Sequence, residues 1–163
     1  MFGRRKKAAP AADGAMLRSF VITGELPARP LDAPGRATVA VMEMGVGGGV
    51  ATVCSFIDGT TSLYISTGGG VIGVGTDERA NAASRAFVGA MEGALESLSP
   101  AAASDQLIDG DVKFLLRIGD DLFGVECKES KVLSVDHPLH PLWRLGQEVL
   151  TWIRIVSEER KGR

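Results

Sequence analysis

An α+β domain, with a mostly antiparallel five-stranded sheet and two long helices packed against it, is the fold this chain predicts. Three observations predict it. Alternating apolar runs fall in two groups, three before the middle of the chain and two after it. Within each group the runs are joined by short turn signals rather than helical crossovers, so the strands run antiparallel. Each group is then followed by a long stretch with 3.6-residue apolar spacing. The order is β-β-β-α-β-β-α, after a possible short N-terminal helix.

The elements follow in turn. Residues 1–14 begin with the basic run Arg4-Arg5-Lys6-Lys7, but Ala8 to Asp13 supply no apolar h-region, so a disordered start is expected and not an export signal. Residues 16–22 suggest the short helix, and 24–35 are turn-rich, with Pro27, Pro30 and Pro34. Residues 37–44 read as a first strand, apolar on both faces as in a central strand, with Glu43 as its exception. An edge or rim position is the simplest expectation for that carboxylate. Gly45 to Gly49 turn the chain into a second strand, 50–57, and Asp58-Gly59 is a hairpin signal leading into a third, 60–66.

A helix is expected over 77–98, capped by Thr76 or Asp77 and ended by Ser99-Pro100. After a loop over 101–110, residues 112–118 and 122–127 form a hairpin across Gly119-Asp120-Asp121. There Lys113 and Arg117 share a face with Leu115, giving the sheet one wetter side. The last helix is expected over 142–157, which makes 15–157 a single domain and 158–163 a charged tail.

Composition narrows the function classes. The chain of 163 residues carries a net charge of -2, which argues against a dedicated nucleic-acid binder. Cys54 and Cys127 form no metal-ligand spacing and read as buried free thiols in a reducing compartment. The longest uncharged run, 59–76, is too rich in Ser, Thr and Gly to span a membrane. A cytoplasmic protein is expected. The basic start and Arg160-Lys161-Gly162-Arg163 read as solubilising termini.

The most distinctive stretch is Ser66 to Asp77, which holds Gly68, Gly69, Gly70, Gly73 and Gly75. Gly68, Gly70 and Gly73 satisfy G-x-G-x-x-G, yet the following helix starts after the motif rather than inside it, and the next strand comes too late for a ribose-binding acid. The favoured expectation is a tight strand-to-helix crossing where main chains pack closely. The alternative is small-anion or nucleotide binding by Ser66, Thr67, Gly68, Gly69, Gly70, Gly73, Gly75 and Thr76 at a helix N-terminus. Asp77 and Glu78 oppose it, because they already use that positive end.

The segment Asp58-Gly59-Thr60-Thr61-Ser62-Leu63-Tyr64, with Ser66-Thr67-Gly68-Gly69-Gly70 and Ile72-Gly73, resembles a motif of a bacterial protein family with no assigned activity. That resemblance implies a bacterial origin and nothing more. The element order is similar to that of type III secretion chaperones and of the roadblock or profilin-like group, as an analogy of topology.

The helix over 77–98 shows one large apolar face, a charged face, and a stripe of small residues that includes Ala82, Ala86, Gly89 and Gly93. Each helical glycine costs about 0.8–1 kcal/mol relative to alanine, so close approach of another backbone is expected to repay it. The last helix is the favoured neighbour, because its apolar arc is wide; the same helix of a second subunit is the alternative. No catalytic set emerges. Pro138 and Pro141 deny His137 and His140 a shared helix face, and Ser66, Thr67, Cys54 and Cys127 lack an orienting base. The expectation is therefore a non-catalytic interaction or adaptor module, self-associating or bound to a protein partner, with neither cofactor nor metal.

Overall fold

The computed structural model describes residues 14–23, 34–103 and 107–163. The expectations for 1–13 and for 24–33 lie outside them. The fold is α+β. Its elements are α1 (Gly14–Thr23), β1 (Ala37–Val46), β2 (Gly49–Phe56), β3 (Thr61–Ile65), β4 (Gly70–Val71), α2 (Glu78–Gly93), β5 (Ser99–Pro100), β6 (Asp111–Ile118), β7 (Asp121–Lys128), α3 (Glu129–Val132) and α4 (His140–Lys161).

The sheet is antiparallel throughout, in the order β4-β3-β2-β1-β6-β7-β5, so the described residues form seven strands where five were expected. The two extra strands are both two residues long and lie at the edges. β4 forms because the glycine run folds back on β3, and β5 forms because Pro100 holds the residue before it extended, beside Gly124. Short edge strands also leave little backbone for another chain to pair with.

Hairpin turns set the register. Gly47 and Gly48 (φ 60° and 77°) form a two-residue connection between Val46 and Gly49, a conformation that side chains rarely adopt. The long pairing of β1 with β2 and β6 makes β1 the central strand. A bulge between Ala37 and Val39 turns Ala37 toward the opposite face from the other odd-numbered residues of that strand.

The two faces of the sheet differ sharply. One is apolar and carries α2 and α4. Met42, Val53, Val112, Phe114 and Leu116 from the strands meet Phe87 and Met91 of α2 and Val149 and Ile153 of α4, all fully buried. Burying each such side chain stabilises the fold by about 1.5–3 kcal/mol. Gly146 lets α4 come close to β1, since a Cβ there would lie 2.5 Å from Met42 Sδ. On the other face α1 places Val21 and Ile22 over Val39, Val41, Cys54, Phe56, Tyr64 and Leu115.

Helix ends differ from expectation. α2 stops at Gly93 and not at 98, and a 3-10 turn, Leu95–Ser97, leads to β5. α4 is longer than expected. It starts with Pro141 in its first turn, where the missing N–H would be unpaired in any case, and it absorbs residues 158–161 of the expected tail.

Candidate functional site

The glycine stretch is a hairpin tip followed by a pinned connection, not a direct crossing from strand to helix. Ser66 to Gly69 turn the chain, with Gly68 N–H donating to Ile65 C=O at 3.0 Å and Ile65 N–H to Gly69 C=O at 3.2 Å. The Ser66 hydroxyl accepts from Val50 N–H at 2.8 Å, and Ser66 through Gly70 are all exposed, Thr67 among them. Close main-chain approach occurs at two places. A Cβ on Gly70 would meet Leu63 O at 2.3 Å, and one on Gly75 would meet Thr60 Cα at 2.5 Å. Around Gly68, Gly69 and Gly73 there is open space, so tight packing does not explain them; their positive φ does.

Three groups pin the connection to α2. Val74 is fully buried in the apolar core. Arg160, in the last turn of α4, donates to Thr76 Oγ1 (3.0 Å) and to Gly73 C=O (3.5 Å). Asp77 caps α2, accepting from Arg79 N–H (3.0 Å) and Ala80 N–H (3.3 Å). The Arg79 guanidinium hydrogen-bonds that carboxylate, pulling its pKa down to about 2, and also pairs with Glu159 at 2.8 Å and lies 4.8 Å from the centre of the Trp152 ring. The N–H groups of Arg79 and Ala80 that an anion would need are thus already bound to a carboxylate.

Glu43 stands in the central strand and is fully buried, so the expected edge or rim position is corrected. Burial of a carboxylate there is compensated by partners. Arg18 of α1 grips it through Nε on Oε1 and through Nη2 on Oε2 at 2.9 Å, and the Thr52 hydroxyl donates to Oε1 at 3.1 Å. Register puts Tyr64, Thr52, Glu43, Lys113 and Glu126 in one row across β3, β2, β1, β6 and β7. Lys113 pairs with Glu126 at 3.4 Å, and the next row holds the Asp111–Lys128 pair. The sequence carried one clue to this: helical spacing puts Arg18 on the same side as Val21 and Ile22, an arginine on an apolar stripe that calls for a buried acid.

Each histidine binds backbone. His137 Nδ1 accepts from Leu139 N–H (3.2 Å), and His140 Nδ1 donates to Val132 C=O (2.9 Å). Among the described residues no group of three or more His, Cys, Asp and Glu side chains is placed to hold a metal ion. Cys54 is buried under α1, whereas Cys127 is only half-buried, against the expectation for it. Burial raises the pKa of both thiols, helped at Cys54 by the charge of Glu43 and at Cys127 by that of Asp111, so neither is a ready thiolate. The two sit on β2 and β7, three strand spacings apart and offset along the strands, which separates them by at least about 14 Å, beyond the reach of a disulfide.

No protein-family model, curated protein or solved structure matches the chain. Among the described residues no helix is long and apolar enough to cross a membrane.

Two surface features remain. Ala82, Ala86, Gly89 and Gly93 are exposed, and a Cβ on Gly89 or Gly93 would meet nothing within 4 Å, so α4 does not pack on this stripe as favoured above. In the isolated chain, Gly89→Ala is therefore expected to stabilise α2 by about 0.8–1 kcal/mol, read as a raised denaturation midpoint, with less gain from Gly93→Ala at the helix end. The second feature is apolar. Val46, Ile108, Leu133 and Val135 are each more than half exposed, and all lie at one end of the sheet. Val46 ends β1; Ile108 precedes β6, whose start pairs with the end of β1; Leu133 and Val135 follow the end of β7.

Proposed function

We propose that this chain is a non-catalytic protein-interaction module that associates with a second copy of itself. The observation that carries the reading is the apolar end of the sheet, where Val46, Ile108, Leu133 and Val135 remain in water. Exposed apolar side chains gathered in one region mark interaction sites on proteins of this size. The open stripe of Ala82, Ala86, Gly89 and Gly93 offers a second flat surface for the same purpose. The order α1-β1-β2-β3-α2-β6-β7-α4 supports the analogy with type III secretion chaperones, at the level of topology. Two thiols too far apart to pair suit a reducing, cytoplasmic compartment.

Light scattering on the purified full chain tests the reading. A dimer is expected, and Leu133→Asp with Val135→Asp is expected to convert it to a folded monomer with an unchanged circular-dichroism spectrum, its thermal midpoint falling only by the stabilisation that association supplied. A wild-type chain that is monomeric at every accessible concentration would sink self-association.

A further inference from the structure

We propose that α1 is a displaceable strap, and that the sheet face beneath it is a docking site for an amphipathic helix of a partner protein carrying an arginine one turn ahead of two adjacent aliphatic residues. Arg18, Val21 and Ile22 of α1 supply this pattern in the closed chain. The inference rests on the interaction-module reading but concerns a different surface from the apolar end of the sheet.

The contrast between the two sheet faces leads to it. The face under α2 and α4 presents only apolar side chains from the middle of β1, namely Ala40, Met42 and Met44, and such a face cannot tolerate water. The face under α1 alternates apolar residues with a charged row. Glu43 sits there in the centre of the sheet, where an apolar residue would hold a permanent helix at least as firmly. A carboxylate suits a surface that exists in two conditions. Covered, it is paired with Arg18; uncovered, it is hydrated, still receives the Thr52 hydroxyl, and has Lys113 as its cross-strand neighbour.

The same face reads direction. Glu43 receives the arginine side chain, while Arg117 Nη1 donates to Ile22 C=O at 2.9 Å, near the C-terminal end of α1 where helix carbonyls lack intrahelical partners. A helix docked in the reverse sense would bring its N–H groups to Arg117 and meet repulsion. Val39, Val41, Cys54, Phe56, Tyr64 and Leu115 form the apolar floor between the two charged anchors. α1 is 10 residues long, too short to be a stable helix by itself, so it folds as it docks and melts as it leaves.

Hydrogen exchange on the full chain gives the first test. Amides of α1 are expected to exchange at least tenfold faster than those of β1 while the sheet stays protected; equal rates would mean that α1 opens only with global unfolding, and would overturn the strap. The second test uses a fluorescent peptide of residues 14–23 and the full chain carrying Val21→Asp and Ile22→Asp. The peptide is expected to bind this variant at least tenfold more tightly than wild type, and its Arg18→Ala form to lose most of that affinity. A variant that folds and ignores the peptide overturns the docking site, and a variant that fails to fold shows α1 to be integral and overturns the strap. Light scattering reads self-association separately, so the two proposals fail independently.

Discussion

Phe87→Ala is expected to destabilise the chain by about 3–5 kcal/mol, the usual loss when a fully buried phenylalanine leaves a cavity. At this length that corresponds to a fall in melting temperature on the order of 10 °C, measured by circular dichroism. The side chain lies between α2 and the sheet face that α2 shares with α4, so no element can collapse into the space without dragging its neighbours. Arg18→Ala provides the contrast. Removing one partner of a buried ion pair ordinarily costs about 3–5 kcal/mol, because the remaining charge is stranded. Here the loss is limited by the free energy that docks α1, since the strap can lift and let water reach Glu43. The expected drop for Arg18→Ala is therefore less than half that for Phe87→Ala. Equal drops would place α1 in the same cooperative unit as α2 and α4.

How much of this was legible in the sequence depends on whether the determining contact was local. Alternation with hairpin turns is local, and so is 3.6-residue spacing: the five main strands, both long helices and the burial of Phe87 and Met91 on one side of α2 follow from them. Two-residue edge strands have no period to display. β4 exists only because Gly70 can sit 2.3 Å, in Cβ terms, from a carbonyl of β3, and a run of glycines looks the same whether it serves a crossing or a hairpin. The partner of Glu43 lies 25 residues away, across a stretch with three prolines, so the strand context alone pointed to a rim position where the fold has a centre. The pinning of Thr76 by Arg160 spans 84 residues and belongs to a part of α4 that read as a solvated tail. Burial of single charges is decided by such distant pairs, and helical or strand periodicity carries no record of them.

The same limit governs the helical glycines, and it yields the last prediction. Gly89 and Gly93 stood out because they are one turn apart on a long amphipathic helix, yet both face open space. The glycine at which a helix does press on its neighbour is Gly146, alone in α4 and buried, directly over Met42 of the central strand. By intrinsic propensity, alanine at any of these positions should gain about 0.8–1 kcal/mol, and only packing can reverse that sign. At position 146 the new methyl would lie 2.5 Å from Met42 Sδ and 2.9 Å from its Cε. Met42 is fully buried and has no free volume into which to retreat, so either α4 lifts or the methionine takes a strained rotamer. Overpacking of this kind costs about 1–3 kcal/mol, which exceeds the propensity gain. Gly146→Ala is thus expected to destabilise and Gly146→Val to destabilise further, while Gly89→Ala stabilises, all read as shifts in urea midpoint at constant slope. Combining Gly146→Ala with Met42→Val removes the sulfur and terminal methyl that the new Cβ would strike, and the pair should recover part of the loss. A double variant no more stable than Gly146→Ala alone would mean that α4 is held away from β1 by something other than this contact.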